Sequence, residues 1–469
     1  MADEKSKTKA LKEELFLPAK KGIATLTKEE IAKADEFCEG YKDFLDNSPV
    51  EREAVEYSVR LAQQNGFKPF EPDKKYQPGE KIYYINRRKA VALAVIGKSG
   101  TKNGVLLSIA HIDSPRVDLK PNPLYEDASL AMFKTHYYGG IKKYQWTVIP
   151  LALHGRVVKK NGECVDIKLG TEPGEPCFCI TDLLPHLAQE QAQKKLGKAI
   201  EGENLNVLIG SRPLDTEDEE TELVKLNAMK ILNDKYGITE SDFLSAELCF
   251  VPADKSRDVG LDRGLIGGYG HDDKVCAYPA LMAAIDTDMP EFTCITYLTD
   301  KEEIGSDGNT GMQSDFLRYF IYDLAKADGE EGYRVLSKSK CLSADVSAAF
   351  DPTYASAYEA RNSCYINSGV VISKYTGHGG KYDTSDASAE YMGEIRAMLE
   401  KDNIMWQVGE LGKVDGGGGG TIAKYVANMN VDVVDLGVPV LSMHAPFELI
   451  SKVDVYEAYR AFYAFFNKD

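Results

Sequence analysis

Phe292-Thr293-Cys294-Ile295-Thr296-Tyr297-Leu298 runs into Asp300-Lys301-Glu302-Glu303-Ile304-Gly305-Ser306. The first run is apolar and β-branched and reads as a buried strand. In open α/β sheets, ligands gather outside the carboxyl ends of the strands. Two adjacent glutamates at such an end are costly unless a metal ion or a basic substrate group sits beside them. Beside a metal pair they can divide the labour, one carboxylate ligating and the other taking a proton from the attacking water. A lone Glu-Glu is equally well a solvated acidic turn, so the reading depends on other ligands arriving at strand ends.

They do. Upstream, Gly104 to Ala110 is a strand that runs straight into His111-Ile112-Asp113-Ser114-Pro115. Asp113 is placed to hold the second ring nitrogen of His111, as metal-bound histidines need. Closer to the glutamates, Gly267-Gly268-Tyr269-Gly270 leads into His271-Asp272-Asp273-Lys274 and an apolar helix over Val275 to Ile285. Either aspartate can cap that helix or bridge two metals. Downstream, Lys340 to Ala344 approaches Asp345, and the run from Asp432 to Met443 delivers His444. His111, Asp272, Glu303, Asp345 and His444 together make two imidazoles and three carboxylates. This mixed N/O set suits a pair of divalent ions, zinc first, with manganese or cobalt as alternatives. Glu302 is then the natural general base.

Asp415 followed by five glycines to Gly420 is a poor choice for stability. It makes sense where backbone N–H groups approach an anion such as a carbonyl oxygen or carboxylate. It is not a phosphate loop, since no Lys-Ser/Thr follows in that spacing. Gly420, Thr421 and His271 are the candidates for substrate contact.

Elsewhere the chain reads as scaffold. Thr27 to Glu30 is a capping box opening a helix to about Phe44. Ser48-Pro49-Val50-Glu51 reads as a second box with Pro49 at the first helical position. Lys81–Ile85 and Ala90–Ile96 form a hairpin. From 116 to 258 prolines punctuate short β-like runs, Asp182 to Leu196 looks helical, and 216–222 is an acidic block. This stretch reads as an inserted β-rich lid or dimerisation domain, and residues 1–115 plus 259–469 as the catalytic domain. His136, His154 and His186 within it are expected to be structural.

The net charge of −17 argues against nucleic acid or anionic membranes as partners. Nine dispersed cysteines with no Cys-x-x-Cys pair suit a reducing compartment. With no apolar leader and no membrane span, a cytoplasmic protein is expected.

Ala110-His111-Ile112-Asp113-Ser114-Pro115, Tyr138-Gly139-Gly140, Asp300 to Ser306, Ser343-Ala344-Asp345, Gly420-Thr421-Ile422, Asp435-Leu436-Gly437 and Met443-His444 recur in this order. Together they resemble the aspartyl aminopeptidase / vacuolar aminopeptidase I family of cocatalytic metallo-aminopeptidases, in a divergent bacterial branch. The resemblance implies a three-layer α/β/α catalytic domain with an inserted dimerisation domain, assembled into a dodecamer that acts on peptides. It implies Asp272 as the bridging ligand, with a cis bond after it. His111, Glu303, Asp345 and His444 become the terminal ligands, Asp113 the orienting acid and Glu302 the base. Asp273 departs from the family's Asp-Asn segment. Ser347 to Asp351 stands where aspartyl-specific relatives carry histidines, and Glu190 where they carry an inserted-domain histidine. These departures speak against a strict preference for acidic N-terminal residues. A deacylase or carboxypeptidase using the same metals, or a non-catalytic assembly or cargo protein, are the alternatives.

Overall fold

The computed structural model describes residues 2–17 and 22–468. Its centre is a nine-stranded sheet. Four strands at its middle are parallel: Thr293–Thr299, Val105–His111, Lys340–Ser343 and Asp432–Gly437, in that spatial order. Their side chains alternate between two apolar layers. Leu106 and Ala110 pack against the helices Lys28–Asp46, Glu51–Gln64, His271–Asp286, Ala389–Lys401 and Lys452–Phe466. Leu107 and Ile109 face the helices Phe316–Asp328, Gly332–Leu336 and Ala423–Ala427. Helices therefore cover both faces, the three-layer α/β/α arrangement expected, and burial on both sides explains the near-continuous apolar strands. The hairpin Lys81–Asn86 and Ala90–Val95 pairs antiparallel beside this core, with Arg87 and Arg88 in left-handed conformation at its turn.

A second sheet has seven strands, all drawn from residues 116–252, with pairings that are antiparallel throughout. It has its own core, centred on Phe133, Trp146 and Phe250. A third, five-stranded sheet joins Leu265–Gly268 to Glu448–Ser451 and Pro439–Leu441. It brings the start of the Asp272 helix beside the His444 loop.

Two local expectations differ. Thr27 and Glu30 form the reciprocal capping box as read, but Ser48 does not. The next helix begins at Glu51 with Val50 at its cap and no side-chain capping bond, because Ser48 is buried. The segment 182–196 holds only the short helix Gln189–Gln193, and Leu196–Ala199 follows it. Leu183, Leu184 and Leu187 are exposed there, so no apolar stripe is buried to sustain a longer helix. Among the described residues, no helix is long and apolar enough to cross a membrane.

Candidate metal centre

Three neighbouring parallel strands end at one point. Val105–His111 places His111, Thr293–Thr299 leads to Glu302 and Glu303, and Lys340–Ser343 leads to Asp345. Asp272 comes from the first turn of His271–Asp286, where the bond to Asp273 is cis. His444 comes from the loop between Pro439–Leu441 and Glu448–Ser451.

Asp272 is the hinge of the arrangement. Its Oδ1 lies 3.1 Å from His111 Nε2 and its Oδ2 lies 3.0 Å from His444 Nε2. On the first side, Asp345 Oδ1 is 4.0 Å from His111 Nε2. On the second, Glu303 Oε2 is 3.6 Å from His444 Nε2. A tetrahedral shell with bonds of about 2.1 Å has edges of about 3.4 Å, so these separations are those of ligands around a common centre. His111 Nε2, Asp272 Oδ1 and Glu303 Oε1 are buried without a hydrogen-bond partner. Buried polar atoms are usually paired; unpaired ones also occur away from this point, Trp146 Nε1 and His154 Nε2 among them, but these three converge on one another. Such orphans, in a nitrogen and oxygen donor set, fit divalent metal.

The outer side of the site is hydrogen-bonded. Asp113 is fully buried and accepts the backbone N–H of Glu302 at 3.1 Å and of Glu303 at 3.2 Å. Its Oδ1 also faces His111 Nδ1 at 3.3 Å. The outer nitrogen of His444 donates to the Gly140 carbonyl at 2.8 Å. Lys301 and Gly305 adopt left-handed conformations around the glutamate turn. That turn sends the two carboxylates different ways: the Glu303 side chain is 3% exposed, whereas that of Glu302 is 19% exposed, lines the cleft and lies 3.8 Å from His111 Nε2.

Carboxyl groups outnumber imidazoles here, and the ionisation shows it. Burial, with the Asp272 and Asp113 charges adding to it and His111 opposing, holds Glu302 at about 7. Burial, reinforced by Glu302 and Asp272, pushes Asp345 well up, and burial with Asp272 does the same to Glu303. Burial alone would lower His444, but the Asp272 bond and the Glu303 charge outweigh it and hold the ring at about 10. Bound cations reverse this logic by favouring the ionised carboxylates.

A cleft of about 220 Å³ opens on the centre. Asp272, Glu302, Asp345 and His444 form its floor, and Tyr375, Gly418–Gly420, Thr421 and Met443 its walls. Gly420 and Thr421 thus line the cleft. His271 does not: it is fully buried, its Nδ1 sits 2.6 Å from the Tyr41 hydroxyl, and burial drops it to about 3. The helix turn that aims Asp272 at His111 and His444 aims its neighbour into the core. Of the three inserted histidines, His154 is buried against Glu53, while His136 and His186 are exposed.

Glu448 was missed by sequence reasoning. It is buried and accepts the N–H of both Asp272 and His444, at 3.1 and 2.6 Å. A glutamate opening an apolar strand four residues after His444 was the available signal.

A family model for aminopeptidase I zinc metalloproteases (M18) matches residues 44–466. The chain belongs to this family. It is a metallo-aminopeptidase. A probable M18 aminopeptidase 1 of Clostridium acetobutylicum is 49% identical over 448 residues, 94% of this chain and 95% of that one. The crystal structure of the Thermotoga maritima M18 aminopeptidase is 44% identical with a TM-score of 0.92, over 97% of this chain and all of that one. The yeast mApe1 dodecamer, 21% identical with a TM-score of 0.74 over 93% of this chain and 97% of that one, shares the fold.

Proposed function

We propose that this M18 aminopeptidase removes single N-terminal residues from peptides with two divalent ions, zinc or alternatively manganese or cobalt, and Glu302 as general base. The carrying observation is the Asp272 carboxylate, which offers one oxygen to each of two imidazoles at 3.1 and 3.0 Å. His111, Asp345 and Asp272 would hold one ion; His444, Glu303 and Asp272 the other. When bound, such ions polarise a carbonyl and acidify water.

The chain's own residues do the rest. Glu302, the more exposed of the paired glutamates, takes the proton of the attacking water and returns it to the leaving amine. Asp113 keeps His111 in one orientation. Gly418 and Gly419 pair with His378 and Gly377, and the glycine run brings bare backbone to the wall of the cleft where substrate approaches. The cleft of about 220 Å³ is smaller than the roughly 300–1,000 Å³ of pockets that enclose drug-sized ligands. That size suits one residue, as an exopeptidase requires. The inserted sheet serves subunit contact in a homo-oligomer, taken as a dodecamer by likeness to the yeast assembly.

Glu302→Gln tests the base. Metal content by atomic absorption should stay at two ions per chain while kcat falls between about a hundredfold and ten-thousandfold. Unchanged turnover would remove Glu302 from the mechanism. N-acetylated peptides should resist cleavage; hydrolysis at the rate of free peptides would favour a deacylase or carboxypeptidase. A fully active monomer in sedimentation would overturn the assembly.

A further inference from the structure

We infer that Tyr138-Gly139-Gly140, at the end of the inserted strand Leu130–Tyr138, is a positioning element of the metal centre, with the Tyr138 hydroxyl fixing Asp113. The inference rests on the two-metal reading above and assigns the inserted segment a role inside the catalytic centre.

The contacts are specific. The Tyr138 hydroxyl donates to Asp113 Oδ2 at 2.8 Å. Asp113 is the one carboxylate that faces His111 and also takes the N–H groups of both glutamates. Its carboxylate therefore holds the backbone of a ligand carboxylate and of the base, and lies 3.3 Å from the ring nitrogen of His111 that also bonds the Asp113 carbonyl at 3.1 Å. The Tyr138 ring is itself held: the Arg116 guanidinium lies 4.2 Å from its centroid and is anchored by Glu51 and Asp118, each at 2.8 Å. Two residues on, the Gly140 carbonyl accepts from His444 Nδ1 at 2.8 Å. The inserted segment thus braces His444 directly and His111 through Asp113.

The two glycines are explained by the same closeness. Gly139 has φ of +73°, and a Cβ there would lie 3.1 Å from Glu303 Oε2 and 3.2 Å from Glu303 Cβ. A Cβ on Gly140 would lie 3.3 Å from His444 Nδ1. A side chain at either position would press on a metal ligand. Groups that orient metal ligands typically matter about 10–100-fold in affinity or activity.

Tyr138→Phe tests this, since it keeps the ring over Arg116 and removes only the hydroxyl. Zinc retention is read by titration with a chelator, alongside kcat, KM and the thermal midpoint of the metal-free chain. The expected result is zinc held about tenfold more weakly and kcat lowered about tenfold, with KM and the metal-free midpoint close to wild type. A wild-type chelator titration for Tyr138→Phe overturns the inference. So does a lowered metal-free midpoint with unchanged zinc retention, which marks Tyr138 as packing alone. If the wild-type chain retains no zinc, the two-metal reading fails first, which the same titration shows before any variant is compared.

Discussion

Glu448 touches neither the cleft nor either imidazole ring, yet both of its oxygens are occupied at the site. One takes the Asp272 N–H and the other the His444 N–H. In the two-metal reading proposed above these are the bridging ligand and a terminal ligand, and they come from segments far apart in sequence. A single buried carboxylate therefore ties together two backbones that the pairing of Leu265–Gly268 with Glu448–Ser451 already brings close. Glu448→Gln preserves volume but turns one acceptor into an N–H₂ donor facing an N–H. A buried donor left without an acceptor costs about 1–3 kcal/mol, and the two ligands lose their common anchor. Metal affinity by equilibrium dialysis should fall about 10–100-fold, with secondary structure by circular dichroism unchanged. Wild-type affinity in this variant would show that the two backbones are held by other means. The convergence of His111, Asp272, Glu303, Asp345 and His444 was legible because each follows a strand-like run. Glu448 was less so: a glutamate opening an apolar strand marks it only weakly, since a carboxylate that serves backbone N–H groups leaves no spacing rule in the sequence. His271 misled for the opposite reason. Its position beside Asp272 suggested the cleft, but adjacent residues at a helix start point in different directions.

At the scale of elements, the site depends on how closely neighbouring strands approach. Gly437 ends the strand Asp432–Gly437, and a Cβ there would lie 1.7 Å from the Asp345 carbonyl oxygen. No rotamer relieves a clash with backbone. Gly437→Ala must push Asp345 away from His111, so overpacking and ligand loss arrive together. The expected outcome is a stability loss of about 1–3 kcal/mol in denaturant titration, with zinc content below two ions per chain. Full zinc content would show that the Asp345 strand end can shift without losing its aim. The central strands were legible because burial on both faces demands continuous apolar runs. Helix starts were less so. Thr27 and Glu30 sit on the surface, free to bond each other as the capping box requires, whereas Ser48 has the same pattern but is packed inside. The stretch 182–196 has helix-forming composition and exposed leucines, and composition alone does not supply the packing that sustains a helix. Short strands paired across the inserted sheet left a β-like texture in the sequence, but their order depends on contacts between distant residues.

Across the whole molecule, the inserted sheet is clamped to the catalytic body by charges around one helix start. Glu51 holds Arg116, Glu53 meets His154 and Lys168, and Glu247 pairs with both Arg52 and Lys89. Because Tyr138 and Gly140 reach Asp113 and His444 from that sheet, the clamp bears on the candidate site as well as on the fold. Its pH dependence follows from Glu247. Burial works against its charge, but Arg52 and Lys89 outweigh burial and bring it from 4.5 to about 2. A carboxyl group depressed in the folded state stabilises fully above its unfolded value, and that contribution is lost as pH falls through the folded value. The window therefore runs from about 4.5 down to about 2. The Glu247 side chain is 55% exposed, so solvent screening limits the contribution to about 0.2–1 kcal/mol. In metal-free protein, the stability difference between wild type and Glu247→Gln should be constant from neutral pH to about 5 and shrink steadily below about 4.5. Raising the salt concentration should reduce it at neutral pH. A difference that persists undiminished at pH about 3, in urea titrations of both chains, would mean that Glu247 acts through packing rather than charge.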